Sequence, residues 1–310
     1  MTPLILENGT LRATITPCLG SAITSLCHLP SGVDVLARTP WETSPDPLPF
    51  APDEATWLTR FSGGWPLMFP NAGDACDDGP VRHGFHGEGS FSRWEAQHKD
   101  QDLILTRHFQ TVPVTMTRHM TLAGNRLEVA ETITADAPCT VAWGQHVTLG
   151  SDLLTGVVTL ATSANHLIAC KSFNPDANPL LPGATGAWPI LPGRAGPVDL
   201  THPPEAAALL ACLMDLGPTP WASLTRPDGL CVRLDWTADP WPLAWLWVET
   251  GGTSCAPWNG QARMIGIEPC TTWPATGLAA ARAAGGPLMT LAAGETRSAG
   301  ITLTIRPPEP

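Results

Sequence analysis

The chain has no tyrosine, no cluster of basic residues and no long hydrophobic run, and each gap excludes something. Only 15% of its 310 residues are charged, with 17 Lys and Arg against 28 Asp and Glu and a formal net charge of −11. Without a Lys/Arg-rich stretch there is no electrostatic footprint for nucleic acid. The same acidity disfavours an anionic membrane surface or a polyanionic substrate. A phosphate group is usually held by Arg or Lys, so an uncharged small molecule suits this balance better. The longest apolar stretch, Ala206–Met214, is too short to span a bilayer. The opening MTPLILENGTLRATITP lacks the basic region and apolar run of a secretory signal. Nine cysteines, an odd number, form no CxxC pair, which predicts reduced and mostly buried thiols in a cytoplasmic protein.

What is present is apolar and finely divided. Hydrophobic residues make up 43% of the chain, ample for a core and contrary to disorder. The 33 prolines and 29 glycines are spread throughout, between short apolar segments, as expected of many strands joined by turns. Leu11–Thr16, Leu103–Gln110, Val114–Met120, Leu127–Ile133, Gly156–Leu160, Leu230–Trp236 and Ile301–Ile305 read as strands, several with period-two alternation. Three of them, from 103 to 133, predict a meander with a turn at Ala123-Gly124-Asn125. Ala206–Met214 reads equally as a short helix or a buried strand. Ala279–Ala284 reads as a turn of helix or a loop. No repeat and no linker divides the chain. The expectation is an all-β fold, a large antiparallel β-sandwich in a single domain over 1–310.

Two non-strand segments, 62–94 and 265–274, are the places to look for chemistry, because functional side chains concentrate on loops held by a rigid scaffold. The first contains Gly63-Gly64-Trp65, Phe69-Pro70-Asn71, His83-Gly84-Phe85 and Trp94. The second contains Gly266-Ile267-Glu268-Pro269 and Trp273-Pro274. Between them lies Gly144-Gln145-His146, and Ala293-Gly294-Glu295-Thr296 precedes the last strand. In this order the islands resemble the aldose 1-epimerase (galactose mutarotase-like) family, especially its divergent bacterial members.

The resemblance implies a mutarotase-like supersandwich and a mutarotase activity, the interconversion of α and β anomers of a free sugar. It also implies a small-molecule sugar as partner, a monomer or homodimer, and neither metal nor organic cofactor. Opening a pyranose takes the proton from O1 and delivers one to the ring O5, which calls for groups of near-neutral pKa within hydrogen-bond reach. By resemblance Glu268 is the base at O1, His146 the acid at O5, and His83 a hydrogen-bond donor near O5. Read on its own, Glu268 sits among apolar Ile265–Ile267 and Pro269, an unusual setting for a solvated carboxylate. His146, on an apolar strand, reads on its own as a core histidine.

His86 is a candidate substrate contact. Well-characterised relatives carry an Arg upstream of the first histidine. Here Pro70–Asp74 has none, and Asn71, Asp74 and Arg82 are candidates for its place. Asp215 and Asp176 are candidates for a hydroxyl-binding aspartate. Aromatic faces stack on sugar C–H faces, and among the 13 tryptophans Trp65 is the first choice for such a platform, with Trp94, Trp247 and Trp273 behind it. Three alternatives stay open. They are a metal site at His83 and His86 with Cys76 or Asp78, a sugar-binding protein without catalysis, and a glycoside hydrolase, for which a second carboxylate is lacking.

Overall fold

The computed structural model describes residues 2–44 and 46–308. Two eight-stranded antiparallel sheets form its body. One runs, edge to edge, through 159–162, 221–225, 231–236, 296–306, 126–135, 114–123, 102–108 and 95–99. The other runs through 185–187, 166–169, 208–214, 243–250, 263–270, 144–145 and 67–68, with 147–150 also paired to 263–270. A four-stranded sheet, 4–7, 11–16, 22–28 and 33–34, joins them. Among the described residues the helices are short, Glu54–Leu58 and Leu278–Ala283, and none is long and apolar enough to cross a membrane.

The first sheet follows the alternation in the sequence. Val114–Ala123 and Arg126–Ala135 pair in register from Val114↔Ala135 to Ala123↔Arg126, so Gly124 and Asn125 form the two-residue turn. Gly124 has φ 57°, the left-handed region that such turns require. Val114, Met116 and Met120 face Leu127, Val129 and Ile133 on the buried side. The strand expected at 156–160 starts three residues later, at Thr159–Thr162, and the 265–274 segment, expected outside the strands, lies in the strand Arg263–Cys270 up to Cys270.

The second sheet is covered on both faces, and this decides the ambiguous segment. In Ala208–Met214, Leu209, Ala211 and Leu213 enter the main core, while Leu210 and Cys212 enter a second apolar cluster on the opposite face. Leu243–Thr250 and Arg263–Cys270 divide likewise, with Ala244, Leu246, Val248, Ile265 and Ile267 on one side and Leu243, Trp245, Trp247, Met264 and Cys270 on the other. A strand buried on both faces has no polar alternation to distinguish it from a helix.

The Gly63-Gly64 island is explained by packing. Both residues have φ above +80° or at it (84° and 80°), and an added Cβ would overlap Ala37 O and Ile23 O. All nine cysteines are free, but only Cys170, Cys212 and Cys270 are buried, which corrects the expectation of mostly buried thiols. Five others, such as Cys27 and Cys139, sit partly exposed, and Cys255 is fully so.

Candidate functional site

His146 lies between Gly144–Gln145 and Val147–Gly150, both of which pair with Arg263–Cys270. Gly144 is opposite Cys270 and Val147 opposite Ile267, which sets His146 against Glu268. Their side chains project from the face that carries the second cluster, and His146 Nε2 lies 3.7 Å from Glu268 Oε1. Two residues on, Thr148 pairs with Gly266. Thr148 Oγ1 is 2.9 Å from His146 Nδ1. The Glu268 carboxylate folds back over Gly266, where a Cβ would overlap Oε1.

Aromatic rings enclose the pair. Phe61 and Trp247 have centroids 5.6 and 5.7 Å from His146, and His86 lies 4.9 Å away, edge-on. Trp57 stacks on Phe61 at 4.7 Å and meets His86 at 5.1 Å, while its indole donates to Ser90 Oγ. Trp57 and Phe61 come from a 39–61 excursion whose described residues form no part of the sheets, and Trp41 at its start packs edge-on against Trp258 at 4.7 Å. Under this roof Glu268 is 2% exposed, and His146 and His86 are each 5% exposed.

Burial sets the protonation. Desolvation holds the Glu268 carboxyl well above the usual carboxylate range, and it lowers His146 to about 4. His86 is also pushed well below its ordinary value, by desolvation and then by His146. Burial thus disfavours the charged form of all three. Gly73 N–H donates to His86 Nδ1 at 3.2 Å, so the neutral His86 ring carries its proton on Nε2.

Glu268 differs from every other buried carboxylate described. Asp34 accepts from Ser25 Oγ, Leu26 N, Leu36 N and Arg38. Glu88 accepts from Arg107, Gln110 N, Thr111 N and Thr111 Oγ1. Glu131 is held by Arg118, Trp143 and Gln145, and Glu249 by Gly251 N, Thr253 N and Thr253 Oγ1. Glu268 accepts no hydrogen bond among the described residues; its Oε1 lies 3.7 Å from the His146 imidazole, and its electrostatic reach includes the Cys270 thiol. Buried polar groups are normally satisfied, and an exception calls for a reason.

The other sequence candidates are scattered. His83 is buried but lies on Val81–His83, paired with Cys76, where its electrostatic neighbours are Asp78, Glu88 and Arg282; its Nδ1 has no partner. Of the two loop histidines it is His86, not His83, that packs on His146. Asn71 is spent on the backbone: its Nδ2 donates to Asp74 O and Gly84 O, and its Oδ1 accepts from Leu278 N. Arg82 is exposed and paired with Asp77. Trp65 is fully buried in the main core with its indole donating to Gln145, so it offers no platform. Trp94 is equally buried. Asp215, Asp74 and Asp176 are exposed. Among the described residues no three His, Cys, Asp or Glu side chains converge on a point where a metal could sit, His83 and His86 included. The sequence reading named Gly266 only within its motif and missed Thr148, Trp57 and Phe61. The signal for the last two was a proline-rich stretch, 39–61, with two Trp and two Phe but no strand pattern.

Neither a protein-family profile nor a curated protein matches the sequence. Solved structures do match in fold. Slr1438 from Synechocystis sp. PCC 6803 is 19% identical, with 98% of this chain and 95% of that chain covered at a TM-score of 0.68. A galactose mutarotase-like protein from Lactobacillus casei is 18% identical, covering 98% and 100% at 0.64. An aldose epimerase homologue from C. elegans is 13% identical, covering 99% and 99% at 0.65. The chain therefore has the galactose mutarotase-like β-sandwich fold.

Proposed function

We propose that this protein is an aldose 1-epimerase that interconverts the anomers of an uncharged free sugar, with Glu268 and His146 as its acid/base pair. The observation that carries this reading is the donorless buried carboxylate of Glu268 facing an imidazole 3.7 Å away. The galactose mutarotase-like fold supports it.

Burial raises Glu268 and lowers His146, which favours the arrangement with the proton on Glu268 over the ion pair. Protonated Glu268 with neutral His146 has the same proton count as the carboxylate with imidazolium. The second arrangement is the reactive one, and a polar sugar admitted between the groups favours it by restoring polarity. Glu268 then takes the O1 proton while His146 Nε2 gives its proton to O5. The C1–O5 bond breaks as the C1–O1 bond becomes a carbonyl. Rotation about C1–C2 and the reverse transfers close the other anomer, with Glu268 and His146 returned to their starting forms. His86, its proton on Nε2, is placed as a hydrogen-bond donor to a sugar oxygen. No step draws on a cofactor. Trp57 and Phe61 must move aside to admit the sugar, and lid motions of this kind are common over sites that exclude water.

The roof also favours a second reading, a sugar-binding protein on the same fold without catalysis. Anomer exchange followed by polarimetry or saturation-transfer NMR over a panel of free aldoses separates the two. Acceleration by wild type that falls by about 10³-fold in Glu268→Gln is the expected result. Saturable binding of a sugar without acceleration would overturn the enzymatic reading.

A further inference from the structure

The reacting pair does not hold itself in place. His146 and Glu268 meet across two strands, and the next rung on the same face is Thr148 opposite Gly266. Thr148 is fully buried, and its hydroxyl makes its hydrogen bond, 2.9 Å, to His146 Nδ1. Gly266 supplies no side chain, and the space this leaves is filled by Glu268 Oε1, with Trp247 Cβ close by. We infer that the Thr148–Gly266 rung is a positioning device for the pair, in which Thr148 orients and partners the imidazole and Gly266 makes room for the carboxylate. This rests on the acid/base reading of Glu268 and His146 given above.

The physical argument concerns what each protonation state of His146 requires. An imidazolium has two N–H donors, and Nε2–H has Glu268 or the sugar ring oxygen to meet. Nδ1–H is left in an apolar enclosure, where a donor without an acceptor is costly. Thr148 Oγ1 accepts it. A hydroxyl can also donate, so Nδ1 keeps its partner when the proton leaves, and the ring need not turn between the two halves of the reaction. The titratable groups facing His146 are Glu268 from Arg263–Cys270 and His86 from the turn after Val81–His83. The 39–61 excursion presents Trp57 and Phe61 to it, and Leu243–Thr250 presents Trp247. Among these contacts Thr148 is the neutral group that hydrogen-bonds the ring. Gly266 works on the other partner. A methyl there would drive the carboxylate off the strand surface, and displacement of a reacting group by about an ångström costs roughly 100-fold.

The test is the pH–rate profile of anomer exchange for wild type, Thr148→Val, Thr148→Ser and Gly266→Ala, with ¹⁵N NMR of His146 in each. Thr148→Val, close in shape to the native residue, is expected to lower kcat roughly tenfold with KM little changed, the loss of one hydrogen bond to a charged group. It should also move the acid limb, where the pair takes a second proton at His146, to lower pH. Thr148→Ser should restore both. Gly266→Ala should lower kcat further while leaving the Nδ1 environment of His146 as in wild type. A Thr148→Val enzyme with the wild-type profile overturns the inference. If wild type shows no exchange at all, the epimerase reading fails, and the NMR arm still decides on Thr148: a changed Nδ1 signal in Thr148→Val supports the contact, and an unchanged one overturns it.

Discussion

Gln145 and His146 are neighbours in the chain, and they point into two different kinds of interior. Gln145 faces the space between the sheets. There its amide joins Glu131, Arg118 and Trp65 in a network in which Arg118 donates to Glu131 at 2.6 Å and to Ser21 O at 3.0 Å, and Trp143 donates to Glu131 at 2.8 Å. Both charges are fully buried and opposed. His146 faces the other way, into aromatic rings and a carboxylate that accepts nothing. Both sides bury a glutamate, and only one satisfies it. A carboxylate kept for structure is surrounded by donors, because desolvation without them costs several kcal/mol. A carboxylate kept ready to exchange a proton has to remain uncommitted.

The sharpest way to break the comparison is to remove the charge on the satisfied side. Glu131→Gln leaves Arg118 buried with a weakened partner, and a loss of about 3–5 kcal/mol in unfolding free energy is expected by denaturant titration. A loss near zero would mean that the network is not structural. Next in size is His146→Ala, which should lower anomer exchange on the order of 100-fold, about 2.7 kcal/mol, and leave the Gln145 network intact. The smallest effect has the opposite sign. Glu268→Gln should stabilise the fold by about 1 kcal/mol at pH 8, because it removes a carboxylate that burial disfavours. The folded pKa of Glu268 lies above its ordinary 4.5, so wild type loses stability as pH rises from about there, when the unfolded chain ionises first. The gain from Gln should therefore shrink towards pH 5. His146 runs the other way: with a folded value of about 4 against an ordinary 6.5, its contribution is lost as pH falls through that interval. A Glu268→Gln variant that melts below wild type at pH 8 would place Glu268 with the satisfied carboxylates.

The same contrast explains what could be read from the sequence. The meander was legible because one face of each strand is wet, and alternation marks it. Ala208–Met214 was not, since both of its faces are buried. Glu268 stood out as a charge between the apolar Ile265–Ile267 and Pro269. Choosing between His83 and His86 lay beyond spacing, because a turn decides which ring reaches the sheet: His86 has φ 57°, outside any regular pattern. Trp65 misled because Gly63-Gly64 marks a close approach of backbones, and it is this packing that buries the indole. The roof was hidden in a segment whose residues declare neither helix nor strand, and whose partners lie far along the chain, His146 against Phe61 and Trp258 against Trp41.

The odd–even division of Arg263–Cys270 has a consequence for how this protein can change over generations. Ile265 and Ile267 fill the main core, while Glu268 and Gly266 serve the opposite face. Inserting or deleting one residue within the strand would exchange the two sets, sending a carboxylate into the core and an isoleucine to meet His146. Substitutions can retune this strand, whereas its length is locked. Variation in length is left to the segments outside the sheets, chiefly 39–61 and 251–262. Through Phe61 and Trp57, and through Trp258, those are the segments that close over the site. Descendants of this chain would thus inherit a fixed pair of reacting groups under a cover free to be redrawn.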